Sequence, residues 1–231
     1  MKAMKQFFKL LLALSLMATT PVFAQSQNTV YIDQIGSNSL IDVTQTGSNN
    51  VMGDETNKAI FRGNSQLVMI TQIGSNNNSV FNIQGNGAQL NSYVTGSFNT
   101  VNASCGAAPT TACTDTVIAA NINGNTNNVN VIAGAKSLAT VDATGDNNTI
   151  GISSSTTNLL GARARITSTG GNGNAITVSQ TGTAGLNGFD ATIDVTGGAN
   201  TIGVTQSGTV DSTVNIKSVG SNNTITVRSG N

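Results

Sequence analysis

One short phrase recurs along this chain and constrains its fold more than any other feature. Apolar residues alternate with polar ones, often ending in a Gln, and a Gly, a short polar turn and an Asn follow. The clear copies occupy 30–38, 41–49 and 68–76, and the looser copies occupy 193–200, 202–208 and 214–222. An alternation of period two is typical of β-strands rather than helices. Gly and Asn supply the positive φ angles that a tight reversal needs.

The spacing of these copies predicts a stack of coils. In the second half of the chain, pairs of predicted strands recur every 22 to 27 residues. The first strands of these pairs are centred on Ser92, Ala119, Val141, Ile166, Ile193 and Ile216. The turn from Gly to Asn stays short, whereas the opposite connection varies, as stacked repeats allow on one face. We therefore expect an all-β fold, a β-solenoid of about eight stacked two-strand coils with uncapped ends, formed by one repeat domain over 25–231.

One face of each strand is predicted to point into the solenoid and carries amides together with Ile and Val. A buried amide is costly alone, but in a stack it can donate to one coil and accept from the next, about 4.8 Å away. The predicted amide ladder contains Gln34, Gln45, Gln72, Gln180, Gln206, Asn174 and Asn200. The other predicted inward residues are Ile32, Val43, Ile70, Ile176, Val178, Ile202, Val204, Ile225 and Val227. The turn positions are assigned to Gly36, Gly47, Gly74, Gly208 and Gly220.

The first 24 residues have the pattern of a bacterial secretory signal peptide. A lysine-containing start is followed by an apolar run over 10–17 and a small-x-small site that ends at Ala24. We expect cleavage after Ala24 and export through the periplasm to the cell surface or the medium. A membrane anchor is the alternative, but the apolar run is much shorter than the roughly 20 residues that a spanning helix needs.

Two cysteines flank one of the variable connections. Cys105 and Cys113 are the only cysteines of the chain, and the secretory signal predicts an oxidising destination. Because the chain has no His and no further Cys, a zinc site between them is disfavoured. We therefore expect a Cys105–Cys113 disulfide. On the outward face, Asp194 and Lys217 are expected to pair between neighbouring coils.

The composition argues against several functional classes. Charged residues make up 9 % of the chain and the formal net charge is zero, which gives no basic surface for nucleic acid. The absence of His excludes His-based triads and His metal sites. Asp190 and Asp194 share a face of one strand, but about 13 Å of separation is too large for a glycosidase pair. We expect no enzymatic activity, cofactor, metal site or small-molecule substrate.

The three clear copies resemble the curlin repeat, in which Gln-x-Gly-x-Asn ends one strand of a two-strand coil. The pattern is complete at 31–38, 43–49 and 70–76, and it continues in weaker form from about Asn28 to Arg228, with middle copies that lack the Gln. The resemblance implies a subunit that assembles with copies of itself into adhesive, amyloid-type biofilm fibres. It also implies a related nucleator and outer-membrane export machinery as partners. A major, a minor and a nucleating subunit remain alternatives.

Uncapped end coils would present unpaired backbone groups to another strand. In the last predicted strand, 223–228, only Arg228 could act as a gatekeeper. We therefore expect head-to-tail stacking into a fibre. The alternatives are a monomeric surface-associated solenoid and an ice-binding solenoid. The outward Thr pairs that an ice-binding face would use are Thr167 with Thr169, Thr201 with Thr205, and Thr224 with Thr226.

Overall fold

The computed structural model describes residues 27–105, 113–156, 161–183 and 188–230, and all secondary structure in these ranges is β. The expected signal peptide, 1–24, lies outside the described residues. Within the described ranges, no helix is long and apolar enough to cross a membrane. The strands are β1 (Thr29–Val30), β2 (Ile32–Ile35), β3 (Leu40–Ser48), β4 (Val51–Met52), β5 (Ala59–Arg62), β6 (Leu67–Ser75), β7 (Asn78–Gln84), β8 (Gln89–Thr95), β9 (Thr100–Ser104), β10 (Val117–Asn123), β11 (Asn128–Ile132), β12 (Leu138–Thr144), β13 (Thr149–Thr156), β14 (Ala162–Thr169), β15 (Ala175–Gly182), β16 (Phe189–Thr196), β17 (Thr201–Gly208), β18 (Ser212–Val219) and β19 (Thr224–Gly230).

The chain winds between two parallel sheets and adds one strand to each sheet per coil. The second sheet has eight strands, in the order β3, β6, β8, β10, β12, β14, β16 and β18. The first sheet follows the path β1, β4, β7, β9, β11, β13, β15, β17 and β19. The strands β2 and β5 lie on the levels of β1 and β4, because Asp33 is opposite Ile60 and Ile60 is opposite Asn82. The first sheet therefore has nine levels, and the all-β solenoid is confirmed.

Equivalent residues of successive coils lie directly opposite each other. β14 and β16, for example, pair over eight positions from Ala162 opposite Phe189 to Thr169 opposite Thr196. This register stacks like on like: Ile166 lies opposite Ile193, which lies opposite Ile216. Each strand of a parallel sheet carries N–H and C=O groups along both of its edges. The coils on either side provide the hydrogen-bond partners of these groups.

The core is a narrow layer of aliphatic side chains between the two sheets. Ile150, Ile176 and Ile202 form a fully buried row of the first sheet. Near the N-terminal end the core contains larger side chains, and the ring centroids of Phe61 and Phe81 lie 6.4 Å apart. Burial of these side chains, at about 25 cal/mol per Å² of apolar surface, is the main stabilising term.

The inward prediction is confirmed for the middle of the stack and is weaker at its ends. Ile70, Ile176, Val178, Ile202 and Val204 are at most 2 % exposed. Val43, Ile225 and Val227 are only half-buried, and Ile32 is 36 % exposed. These residues belong to the outermost coils, where the described chain covers the inward face from one side only.

The two corners of the coil differ in variability, as expected. In the corner from the second sheet to the first, a four-residue turn such as Gly74–Asn77 recurs, and its third residue has positive φ, for example 58° at Asn76. The opposite corner carries the insertions. One of these lies between Cys105 and Cys113, whose sulfur atoms are bonded and whose Cα atoms are 5.1 Å apart. Residues 106–112 within it lie outside the described residues.

Candidate assembly site

A continuous column of asparagines runs along the corner that leads from the second sheet to the first. Its members are Asn28, Asn50, Asn77, Asn99, Asn127, Asn148, Asn174, Asn200 and Asn223. Each backbone N–H after the first donates to the Oδ1 atom of the preceding member, at 2.9 to 3.2 Å. From Asn50 to Asn200 every member is at most 1 % exposed. We call this set the asparagine column.

Asn127 shows how one member is satisfied inside the stack. Its Nδ2 atom donates to Asn99 Oδ1 at 3.1 Å and to the Gly145 carbonyl at 2.9 Å. Its Oδ1 atom accepts from the backbone N–H and the Nδ2 of Asn148, at 2.9 and 3.0 Å. A buried amide therefore has partners in the coils on both sides, which removes the penalty for burying it.

Sequence reasoning assigned only Asn174 and Asn200 to this column. The missed signal was an Asn three residues after a Gly, as in Gly47–Asn50 and Gly96–Asn99. The Gln-x-Gly-x-Asn pattern instead emphasises the Asn two residues after the Gly, which is a different position. That position is the positive-φ turn residue, which is exposed and is occupied by Phe98 as well as by Asn49.

The predicted glutamines form two short runs on opposite sheets rather than one ladder. In the second sheet, Gln45 Nε2 donates to Gln72 Oε1 at 2.6 Å, and Gln72 Nε2 donates to Ser79 Oγ at 2.8 Å. This run ends at the next strand because Val94 lies opposite Gln72. The run therefore begins at the edge strand β3 and ends where the next coil lacks a matching amide.

The second glutamine run lies in the first sheet. Gln180 Nε2 donates to Gln206 Oε1 at 2.9 Å, and Ser154 Oγ donates to Gln180 Oε1 at 2.9 Å. Gln206 Nε2 then donates to Ser212 Oγ at 2.8 Å. Both glutamines are fully buried.

Gln34 differs from the prediction that placed it in the ladder. Its register neighbour is Phe61, which offers no amide, and its Nε2 donates to the Gly36 carbonyl at 3.4 Å. The side chain is exposed because β2 is the outermost strand of the described chain. The motif around Gln34 is intact, but the next coil lacks the matching residue.

The predicted turn glycines divide between the two corners. Gly47, Gly74 and Gly220 lie beside the asparagine column, whereas Gly36 and Gly208 lie at the opposite corner. At Gly74, φ is 120° and an added Cβ would overlap the carbonyl of Gly96 in the next coil. Glycine is needed there both for its φ and for the close approach of the coils.

Charged side chains lie on the outward faces. Asp194 and Lys217 pair at 3.8 Å as predicted, and Arg62 pairs with Asp33 at 2.8 Å. In the described ranges, no group of three or more His, Cys, Asp or Glu could hold a metal ion. The geometry is therefore one of stacked coils and repeated hydrogen bonds, suited to pairing with further strands.

The outermost strands show where such pairing could occur. In the described chain, β1, β2 and β19 are the edges of the first sheet, and β3 and β18 are the edges of the second. Apolar side chains are exposed on these strands, including Ile35 at 57 %, Leu40 at 60 % and Val219 at 69 %. Exposed parallel edges are templates for strand addition.

Comparison with family models finds a similarity over one short segment of the chain. A family model described as Curlin associated repeat matches residues 26–47, which cover β1, β2 and most of β3. No curated protein and no solved structure is significantly similar to the chain. The matched residues include Asn28, the first member of the asparagine column, and end with the turn residue Gly47. Together with the solenoid fold, this match supports the assignment of the chain to the curlin-repeat family.

Proposed function

We propose that this protein is a structural subunit of an extracellular, amyloid-type adhesive or biofilm fibre. The observation that carries the proposal is the asparagine column, which repeats the same hydrogen bonds from Asn28 to Asn223. At its end, Asn223 Oδ1 accepts no hydrogen bond from the described residues. The next coil of a second copy would supply the missing donor.

Strand addition at the ends needs no chemistry beyond that already present within the chain. Parallel strands in register bring identical or similar residues together, as they do in cross-β fibres, with levels about 4.8 Å apart. Each added copy would bury the partly exposed inward residues of an end coil, such as Ile32 or Ile225. The gain is therefore both in apolar burial and in backbone hydrogen bonds.

In this proposal the chain acts as a scaffold and not as a catalyst. The curlin-repeat family is structural, and the candidate site consists of amides, glycines and aliphatic residues. A related nucleator and outer-membrane export machinery are proposed partners. Whether the chain is the major, a minor or the nucleating subunit is decided by fibre composition in the source organism.

Incubation of the purified chain 25–231 near neutral pH tests the proposal. Thioflavin fluorescence should rise after a lag, preformed fragments should shorten that lag, and electron microscopy should show unbranched fibres. Gly74→Ala serves as the matched control, because it disturbs the stacking corner. A β-rich solution that stays monomeric, with or without added fragments, would contradict the proposal.

A second candidate is a surface- or ice-binding solenoid. The observation that favours it is the outward face of β11, β13, β15 and β17, where no side chain is charged. Two of the predicted Thr pairs, Thr201 with Thr205 and Thr224 with Thr226, lie on this sheet. Thermal hysteresis by the monomer would favour this function over the fibre.

A further inference from the structure

We propose that copies join through the first sheet alone, by a polar clasp in which β19 of one copy pairs with β1 and β2 of the next and Arg228 lies beside Asp33. This inference rests on the proposed function. It identifies the partner as a second copy and fixes which edges meet, in which register and in which direction.

A repeated hydrogen bond defines the register. In every coil, the N–H of the first strand residue donates to the carbonyl of the next member of the asparagine column, at 2.8 Å. The donors and acceptors are Thr29 with Asn50, Val51 with Asn77, Asn78 with Asn99, Thr100 with Asn127, Asn128 with Asn148, Thr149 with Asn174, Ala175 with Asn200 and Thr201 with Asn223. Thr224 is the next donor of this series, and Asn28 is the column member that precedes every acceptor. A second copy that places Asn28 beside Asn223 continues the series without a change of register.

This register brings opposite charges together. With Thr29 opposite Thr224, residue 33 is opposite residue 228, so Asp33 faces Arg228 in the same outward row. Arg228 is exposed and forms no ion pair with the described residues. Asp33 already contacts Arg62 at 2.8 Å on its other side. In the fibre its carboxylate would lie between two guanidinium groups.

The same charges select the direction of stacking. If two N-terminal edges or two C-terminal edges met, the junction would contain two Asp33 carboxylates or two Arg228 guanidinium groups instead of one of each. Like charges directly opposite are destabilising in a sheet. An exposed pair contributes at most about 1 kcal/mol, so its role is to select register and direction rather than to hold the fibre together.

The unequal number of levels makes the junction one-sided. The first sheet has nine levels and the second has eight strands. When β19 meets β1 and β2, one strand position therefore stays unfilled between β18 and the β3 strand of the next copy. The junction then has backbone pairing in the first sheet only.

Strand exchange is the competing arrangement. If β19 displaced β1 and β2, then β18 could pair directly with β3 and the second sheet would be continuous. In that arrangement Arg228 would take the place of Asp33 opposite Ile60, next to Arg62. This exchange replaces an ion pair by two neighbouring cations, which favours the one-sided clasp.

Zero-length cross-linking of fibres distinguishes these arrangements. The variant Arg228→Lys keeps the charge and adds an amine that a carbodiimide can join to a carboxylate. Fibres grown from a mixture of light and heavy-nitrogen-labelled chains are cross-linked, digested and analysed by mass spectrometry. The clasp predicts a link between position 228 of one chain and Asp33 of another, which is absent from the monomer and from the double variant with Asp33→Asn.

Two other results would overturn the clasp. A link between Lys217 and Asp42 of different chains would show that β18 pairs with β3, as in strand exchange. Fibres that lack the link between position 228 and Asp33 would show that other edges meet. A chain that forms no fibres at all would instead contradict the proposed function, and the clasp with it.

Growth kinetics give an independent test without cross-linking. On wild-type fibre fragments, monomers of Arg228→Asp should elongate about fivefold more slowly at low salt, a difference equivalent to about 1 kcal/mol. The difference should shrink at high ionic strength, because salt screens exposed charges. Arg165→Asp is the matched control, since Arg165 is exposed on β14 in the middle of the stack and lies opposite the uncharged Thr140 and Thr192. Equal elongation rates for the two variants would contradict the clasp.

Discussion

At the residue scale, the defining feature is a polar side chain that belongs in the core because the chain repeats. Asn127 is 1 % exposed. Its Nδ2 atom donates to Asn99 in the preceding coil and to Gly145 in the following coil, and its Oδ1 atom accepts from Asn148 in the following coil. No single coil could provide these partners. The inward amides therefore couple each coil to its neighbours in a way that aliphatic side chains do not, since hydrogen bonds fix register.

Replacement of one column member should destabilise the whole solenoid. Asn127→Ala removes two donated hydrogen bonds and leaves two donors of Asn148 and the Gly145 carbonyl without this partner. We expect a loss of about 2 to 4 kcal/mol in the free energy of unfolding, measured by urea denaturation. Asn121→Ala, at an exposed position of β10, should change it by less than about 0.5 kcal/mol. Equal effects of the two variants would argue against the column as a stabilising element.

Two glycine substitutions should distinguish the steric effect of a Cβ between stacked coils from the general effect of a stiffer backbone. Gly74→Ala forces a Cβ into the Gly96 carbonyl at a φ of 120°, and we expect it to destabilise the fold by more than about 2 kcal/mol. Gly203→Ala, in β17, meets no atom within 4 Å and should be neutral or slightly stabilising. Thermal unfolding of the two variants measures the difference, and a tolerated Gly74→Ala would show that the coils can separate at this corner.

At the element scale, the coil tolerates long insertions at one corner and within the first sheet, whereas the turn that leads to the asparagine column lengthens by only one residue, over 170–174. The loop between β4 and β5 contains Asp54, whose carboxylate accepts hydrogen bonds from the Thr56 hydroxyl and from the Asn57 backbone N–H. These hydrogen bonds give the polar groups of the loop partners within the loop itself. The pairing of β5 with β7 is therefore unaffected by the insertion.

The Asp54 loop should be acid-sensitive over a defined range. The hydrogen bond from Thr56, followed by that from the Asn57 N–H, lowers the pKa of Asp54 from 3.8 to about 2. Because the pKa is lowered in the folded state, the stabilising effect is present above the ordinary value and disappears as the pH falls through about 2. An NMR titration of the Asp54 carboxyl should give this low midpoint, and a midpoint near 3.8 would show that the hydrogen bonds do not persist in solution.

The glutamine runs should influence fibre growth as well as stability. Gln72→Leu removes the acceptor of Gln45 Nε2, and Gln206→Leu removes the acceptor of Gln180 Nε2. We expect both variants to slow fibre growth in seeded thioflavin assays. Gln89→Leu, on the outward face of β8, is the matched control. Growth at the wild-type rate in the two inward variants would contradict a role for the amides in stacking.

The sequence was sufficient to predict the elements and their parity, because period-two alternation and glycine turns are local signals. It was insufficient for the partners of each amide, since these depend on which coil lies next. Gln34 has the same motif as Gln45, yet one faces Phe61 and the other faces Gln72. Likewise, the separation of Gln45 and Gln180 onto opposite sheets follows from strand topology, which the motif does not encode.

At the scale of the whole molecule, the stack is directional and its ends differ. Asp33 lies on the first described level of the first sheet and Arg228 on the last, while the interior of that sheet's outward face is largely uncharged between β11 and β17. The asparagine column has the same direction, with donors that point back along the chain. A fibre built from such units would be polar, with different growth at its two ends.

X-ray diffraction from aligned fibres of the chain 25–231 tests the central claim most directly. If copies stack coil upon coil, the strands lie perpendicular to the fibre axis, and a sharp reflection near about 4.8 Å should appear along that axis. A reflection of this spacing perpendicular to the axis, or a protein that forms no fibres under seeded conditions, would contradict the account.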